Sequence, residues 1–529
     1  MSVDLLEAPV TGSRLDRWWE RMLRTERRRK LWIWGGPAAV TLLAFVLRFW
    51  NLGHPHSLVF DETFYVKDSW SLWLNGYEST WPDGADEGFA NGDAGSPSTN
   101  PSYVVHPPLG KWLIALGIAV FGIDDSTGWR ISTVIAGTLA VLLVTLIAKR
   151  LFTSSILAVL AGFLFAIDGH AIVMARVSLL DNFVMFFVLA GFGAILLDRS
   201  WHASRLAAKV ASARARGADP AWGPVLWWRP WLLAAGVAFG AATAVKWNGL
   251  YFLAAFGVYV IVTDLLLRRR LGLSLWASAA VLKQGPVSFV TLVPVAAVVY
   301  LASWTGWIRT SGGYDRQWAD AVGNAWTGTF AWVPHWFQSL LHYHQSAYSF
   351  HVGLSTPHPY AANPLGWLLM IRPTSMYYQS PATGTDGCAW DACSSAITSI
   401  GNPLIWWGAA VALGYCVYRL VRYREWQVGL IVLGVAAGYL PWLLYLNRTV
   451  FQFYTIVFEP YLILALVFAI GKILGSRDDP EERRFAGVGV IGVFVTITTL
   501  LSIFWYPLWT AITVPYWFWH LHAWLPSWV

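Results

Sequence analysis

The chain is short of charge. Only 13% of its 529 residues are Asp, Glu, Lys or Arg, about half the share of an average soluble domain. That leaves too little polar surface for a water-exposed globule of this length. Cysteine is scarce, with three in the chain. HExxH and comparable close ligand spacings are missing, and so is a nucleotide-binding glycine motif. A transporter-type internal repeat is also missing. The apolar runs do not alternate with polar residues, which argues against a β-barrel.

What is present is apolar sequence. Hydrophobic residues make up 56% of the chain, and the mean hydropathy is +0.48. Runs of about 20 apolar residues recur, the length that crosses roughly 30 Å of hydrocarbon. Eleven predicted spans fit, near 31–51, 127–148, 155–173, 179–198, 231–246, 248–267, 286–304, 403–420, 427–446, 454–473 and 486–508. The first run is too long for the core of a cleaved signal and reads as an uncleaved span.

The formal charge of +7 is topological rather than a nucleic-acid footprint. With the N-terminus placed in the cytoplasm, 27 of the 37 Lys and Arg fall on that side. The basic segment 1–30 is then cytoplasmic and the C-terminus lies outside. The other ten cations stand against the bias. A cation near a span costs energy unless it has a partner. Arg130, Arg176, Lys246 and Arg448 sit at outer span ends, at the depth of Asp61, Glu62, Asp168 and Asp181. One polar cavity opening outward is expected there.

Two outer loops are long, about 52–126 and 305–402. Pro334–His351 has the spacing of an interfacial helix, and Tyr65–Tyr77 reads as another. Residues 78–104, rich in Gly, Pro, Asp and Ser, read as a mobile loop. Cys388 and Cys393 share the second loop and are a disulfide candidate on the oxidising side. Cys416 lies in an apolar run and is expected to be inert. The histidines of this loop read as interfacial hydrogen-bonding groups rather than metal ligands.

Several outer motifs carry chemistry. Asp61 and Glu62 are adjacent, and successive helical side chains diverge by about 100°. They cannot easily serve one point, so a base and an orienting residue is the natural division. His106-Pro107-Pro108-Leu109-Gly110-Lys111 holds His106 and Lys111 on a rigid turn. Ala175–Asn182, preceded by Asp168, places Arg176 and Asp181 in a short turn where they are able to pair. Lys246 and Trp247 occupy another tight turn. His358, Arg372 and Arg448 mark the late segments.

In this order FDETFYVKD (60–68), HPPLGK (106–111), ARVSLLDN (175–182), VKWNGL (245–250), HPY (358–360) with RPTSMYY (372–378), and WLPSW (524–528) resemble the protein O-mannosyltransferases of actinobacterial type. The resemblance covers residue 30 to the C-terminus. It implies an all-α integral membrane protein of the GT-C fold with about 11 helices, residues 31–529 forming one catalytic domain. It implies mannose transfer, with inversion, from a polyprenyl-phosphate-mannose donor to Ser or Thr hydroxyls of unfolded exported proteins. The reaction would occur on the outer face of the cell membrane, with the Sec translocon a candidate partner and no nucleic acid involved. The family's catalytic carboxylate maps onto Asp61, with Glu62 beside it. Such a displacement needs one base and cations for the leaving phosphate, for which Arg130, Arg176, Lys246 and Arg448 are candidates. Asp181 and Trp247 complete the donor set, and His106, Lys111, Asp168, His358 and Arg372 are further site candidates. No cofactor is implied, and a divalent cation is not indicated by ligand spacing. The second long loop is too short for the lumenal β-trefoil (MIR-type) domain of eukaryotic relatives.

Two rival classes use the same observations. A lipid-linked pentose or aminosugar transferase would employ the same residues. A transporter or channel predicts polar residues along the whole crossing, whereas the inner halves of the spans read as apolar.

Overall fold

The computed structural model describes residues 18, 21–93, 98–476 and 479–529. Most of segment 1–30 that precedes residue 21, the tip 94–97 of the first long loop, and residues 477–478 lie outside them. The helices of eight residues or more are α1 (Glu26–Phe49), α2 (Glu62–Asn75), α3 (Leu109–Phe121), α4 (Ser126–Phe152), α5 (Ser155–Ile167), α6 (Gly169–Arg176), α7 (Asp181–Ala215), α8 (Pro230–Val245), α9 (Gly249–Arg270), α10 (Trp276–Ser303), α11 (His335–Gly353), α12 (Pro403–Tyr423), α13 (Trp426–Leu444), α14 (Glu459–Leu474) and α15 (Glu481–Trp509).

Their starts follow from capping chemistry. Asp125 accepts from the Thr127 amide at α4, Ser154 from Leu157 at α5, and Asn402 from Leu404 at α12. Each satisfies a donor that the first helical turn leaves without a partner. Small residues let the helices approach, as in membrane bundles generally. A Cβ on Gly240 of α8 would lie 2.6 Å from the backbone of Ala296 on α10. Gly169, at the 60° bend between α5 and α6, leaves room for the buried Trp509 ring, which an added Cβ would meet at 1.9 Å.

Among the described residues, eight helices are long and apolar enough to cross a membrane, or nine with α5 and α6 as one bent span. The chain is a multi-pass membrane protein. The predicted spans 231–246 and 454–473 fall on α8 and α14, of sixteen residues each. At 1.5 Å per residue these reach about 24 Å, less than the hydrocarbon thickness. Residues that the apolar pattern assigns to α14 instead form the 3₁₀ turn Gln452–Val457.

Two expectations need correction. The fold is not all-α, because Thr374–Gln379 (β1), Cys393–Ser399 (β2) and Val514–Pro515 (β3) form an antiparallel sheet in the order β1-β2-β3. Alternate residues of β1 are buried near its start, so this short strand carries a period of two that a search for apolar runs does not see. The inner ends of the spans are not purely apolar either. Asp198 binds Arg229, which also donates to Ser288. Asp264 accepts from Arg268 and meets His202. These groups satisfy one another and form clamps at the bundle end, not a polar path across it.

A helix does form at each of the two places expected, α11 near 334–351 and α2 near 65–77. Loop 78–104 is tied at its base, where Thr80 donates to the Asn100 carbonyl and Ser102 to that of Glu78. Cys388 and Cys393 are bonded, with an S–S length of 2.02 Å, and Cys416 is free and buried.

Candidate active site

Two arginines build the loop that follows α1. Arg176, at the end of α6, donates to the carbonyls of Arg48, Trp50 and Asn51 at 2.9, 2.6 and 3.1 Å. Arg130, in the second turn of α4, donates to those of Leu52, Pro55 and Ser57 at 3.2, 3.0 and 2.9 Å. Carbonyls that no helix or sheet satisfies thus receive charged donors. The guanidinium groups expected to bind a phosphate are committed to the protein's own backbone. Arg176 does not pair with Asp181.

Glu62 completes this scaffold. Its carboxylate accepts from Arg130 twice at 2.8 Å, from the Ser178 amide at 2.8 Å and from the Val59 amide at 3.0 Å. The side chain is fully buried. It therefore ties the loop, α4 and the α6–α7 turn together.

Asp61 stands beside it in the opposite condition. Phe60 holds a left-handed φ of 50°, uncommon for a bulky residue. Its ring is fixed edge-on by His358, Phe451 and Phe453. The next residue, Asp61, makes no side-chain hydrogen bond within the described residues and keeps accessible surface although protein surrounds it. Burial pushes its pKa up to about 6; nearby Lys246 opposes that rise and Asp181 adds to it.

Lys246 ends α8, and its ammonium lies 2.6 Å from the Asp181 carboxylate and 5.1 Å from the centre of the Tyr454 ring. Asp181 opens α7, so the pair joins two turns. Trp247 donates to the Tyr300 hydroxyl at 3.0 Å and stacks on His344 of α11. His351, also on α11, stacks on His106 and meets the Trp247 ring edge-on. Burial holds the His106 and His351 imidazoles below the usual range, the latter near 4, so both are neutral. Arg448 donates through Nε to the His351 carbonyl at 2.8 Å.

The other candidates scatter. Lys111 binds Glu78 and donates to the His106 carbonyl at 3.1 Å, supporting the site from behind. Asp168 belongs to a separate buried group. It caps α6, accepts from the Asn402 amide at 2.9 Å and lies beside Glu459, which meets His170 at 2.7 Å. His358 packs on Phe451 at the rim. Arg372 donates to the carbonyls of Pro359, Ser527 and Val529. The expected single cavity is thus a smaller cluster of Asp61, Asp181, Lys246, Trp247, His106 and Arg448. No group of three or more His, Cys, Asp or Glu able to hold a metal occurs among the described residues.

Sequence reasoning missed Tyr65, Tyr454, His351 and Glu78 as parts of this region. Tyr65 had a usable signal, since it lies one helical turn beyond Asp61 on the same face. Glu78 had none, being one acid at the edge of a Gly- and Pro-rich stretch.

Comparison with known proteins bears on the family and the fold. Residues 105–200 match the family model of dolichyl-phosphate-mannose-protein mannosyltransferase. Residues 336–528 match that of the C-terminal four-transmembrane region of protein-O-mannosyltransferase. A polyprenol-phosphate-mannose--protein mannosyltransferase of Mycolicibacterium smegmatis is 34% identical over 94% of this chain and 93% of its own. One from Mycobacterium tuberculosis is 34% identical over 95% of this chain and 92% of its own. The fold resembles that of the Saccharomyces cerevisiae protein O-mannosyltransferase Pmt1-Pmt2 complex bound to the sugar donor, with a TM-score of 0.68 at 15% identity over 97% of this chain and 94% of that one. The chain belongs to the polyprenol-phosphate-mannose--protein mannosyltransferase family.

Proposed function

We infer that this chain transfers mannose from a polyprenyl-phosphate-mannose donor to Ser or Thr hydroxyls of exported proteins, with Asp61 as the base. The observation that carries the assignment is the contrast at positions 61 and 62. Glu62 is saturated and buried, whereas the Asp61 carboxylate has no hydrogen-bond partner within the described residues and faces Lys246.

The chemistry is a single displacement with inversion. The acceptor oxygen attacks the anomeric carbon as its proton passes to Asp61. The bond from that carbon to the phosphate oxygen breaks, and the lipid phosphate departs. A carboxylate near pKa 6 is mostly ionised at neutral pH yet more basic than an ordinary one, which suits a general base. Among the described residues Lys246 has donors beyond the one given to Asp181, and Arg448 keeps Nη1 beyond its bonds to His351. These two, not Arg130 and Arg176, are the cations assigned to the departing phosphate. Trp247 is assigned to the wall against the sugar or the prenyl chain. No divalent cation is required by this scheme.

The wider reading follows the charge bias. Eleven spans place the N-terminus and segment 1–30 in the cytoplasm and the site on the periplasmic or extracellular face of the plasma membrane. Residues 31–529 act as one GT-C domain without a MIR-type insertion. Unfolded exporting chains are the acceptors, and the Sec translocon is the proposed source of them. The test is Asp61→Asn in membranes given polyprenyl-phosphate-mannose and a Ser/Thr peptide. Transfer near the wild-type rate with folding intact refutes the base assignment, and a panel of lipid-linked pentose and aminosugar donors checks the sugar.

A further inference from the structure

Eight carboxylates are buried among the described residues, namely Glu62, Asp68, Glu78, Asp168, Asp181, Asp198, Asp264 and Glu459. Seven have a hydrogen-bond or ion-pair partner. Asp68 is the exception. The residue is 8% exposed, no protein donor bonds its carboxylate within the described residues, and its oxygens are not among the fully buried unpartnered atoms, so they keep contact with solvent. A mostly buried carboxylate that only water can serve is still disfavoured by desolvation, so its place beside Asp61 calls for a reason. Membrane hydrocarbon is not the setting, because α2 lies in the long connection between α1 and α4 and carries Glu62, Lys67 and Asp68 in fourteen residues.

Helix geometry supplies the reason. Asp61, Tyr65 and Asp68 stand at i, i+4 and i+7, on one face of α2. Tyr65 lies within electrostatic reach of both carboxylates. Its hydroxyl has no protein hydrogen-bond partner among the described residues, so it is free to receive one proton and release another. Lys111 from α3, Glu78, Lys67 and the Tyr343 ring of α11 are the ionisable groups around Asp68.

We propose that Asp68, acting through Tyr65, carries away the proton that Asp61 takes from the acceptor hydroxyl. This rests on the reading of Asp61 as the base. With lipid donor and acceptor seated, the open side of Asp61 is covered by substrate, and the proton needs a way out behind it. Protonated Asp61 gives its proton to the Tyr65 oxygen. The Tyr65 hydroxyl proton passes to the Asp68 carboxylate, and Asp68 releases it to water. Asp61 is a carboxylate again and no net charge is created. Waters bridging the side chains complete the chain of hydrogen bonds. Burial pushes the Asp68 carboxyl up to about 7, with Lys111 opposing that rise and Glu78 adding to it, so Asp68 can take up and release a proton near neutral pH. Asp68 and Tyr65 are positioning residues here, since neither touches the reacting atoms.

The experiment measures transfer by Asp61→Asn, Tyr65→Phe, Asp68→Asn and Asp68→Glu in membranes with donor and peptide, in H2O and D2O and across pH. The relay predicts kcat lower by about tenfold in Tyr65→Phe and Asp68→Asn, smaller than the loss of the base itself. KM for both substrates stays unchanged, the solvent isotope effect on kcat grows, and the ionisation near 7 leaves the kcat profile of Asp68→Asn. Asp68→Glu recovers part of the rate. If Asp61→Asn is inactive while Tyr65→Phe and Asp68→Asn keep the wild-type isotope effect and pH profile, the relay is wrong and the base assignment stands. Substantial transfer by Asp61→Asn overturns both. A fall in thermal stability or a rise in KM without a change in isotope effect assigns Asp68 a packing role and also overturns the relay.

Discussion

Asp61 and Glu62 are neighbours in the chain and opposites in the fold. Glu62 has four hydrogen bonds, no exposure and a bidentate arginine. The Asp61 carboxylate has none among the described residues and keeps accessible surface. The difference arises because the helical start at residue 62 turns the two side chains apart by about 100°. One points into the packed junction of α4 with the α6–α7 turn. The other remains among Lys246, Asp181 and Tyr65. A single acidic dipeptide thereby supplies both a fixed support and a reactive group.

Substitution breaks the comparison in two distinct ways. Asp61→Asn is expected to cut transfer by about 10²- to 10⁴-fold, the range of a lost general base. Its thermal unfolding temperature in detergent should hold or rise, since a carboxylate disfavoured by burial and by Asp181 is removed. Glu62→Gln should do the reverse in kind. It leaves Arg130 buried with its charge uncompensated, at a cost of about 3–5 kcal/mol. The unfolding midpoint then drops, and activity falls with the folded fraction. A Glu62→Gln protein as stable as wild type would contradict the support role.

Much of this was legible in the sequence. Apolar run length places the helices, and the cations that oppose the charge bias mark the end of the bundle where the site lies. The division of labour between Asp61 and Glu62 follows from helix geometry. What was not legible is how each cation is spent. Arg130, Arg176, Lys246 and Arg448 look alike in sequence, each an isolated cation at a span end. Only the fold shows that two of them face loop carbonyls, which the path of residues 48–57 leaves outside any helix or sheet ladder. The sheet and the Glu78–Lys111 pair were hidden for a related reason, each depending on partners far along the chain.

A smaller effect sharpens the contrast through pH. The folded protein holds Asp61 near 6, above the ordinary carboxylate value. Between the two values the folded chain binds a proton that the unfolded chain has released, so this residue favours folding more as pH falls toward and below 6. Activity moves the other way, since the base must be ionised. Two curves therefore cross the same pKa in opposite senses. The stability advantage of Asp61→Asn over wild type should widen as pH rises through about 6, while wild-type kcat/KM rises over that interval. An advantage that is flat with pH would mean that Asp61 is solvated like a surface carboxylate.

The smallest effect concerns Arg372, which shares the motif pattern of the site but belongs with the sealed side of the comparison. Its guanidinium reaches Pro359, Ser527 and Val529 carbonyls and lies over the Tyr360 ring at 4.9 Å. It ties the C-terminal turn to the second long connection, much as Arg130 and Arg176 tie the first. These bonds are partly exposed, so Arg372→Gln should cost only about 1–2 kcal/mol, the scale of a hydrogen bond or two. The loss should appear as protease cleavage near the C-terminus before any change in kcat. A large drop in kcat with the terminus still protected would instead move Arg372 into the company of Lys246 and Arg448, and the sealed side would lose one of its three arginines.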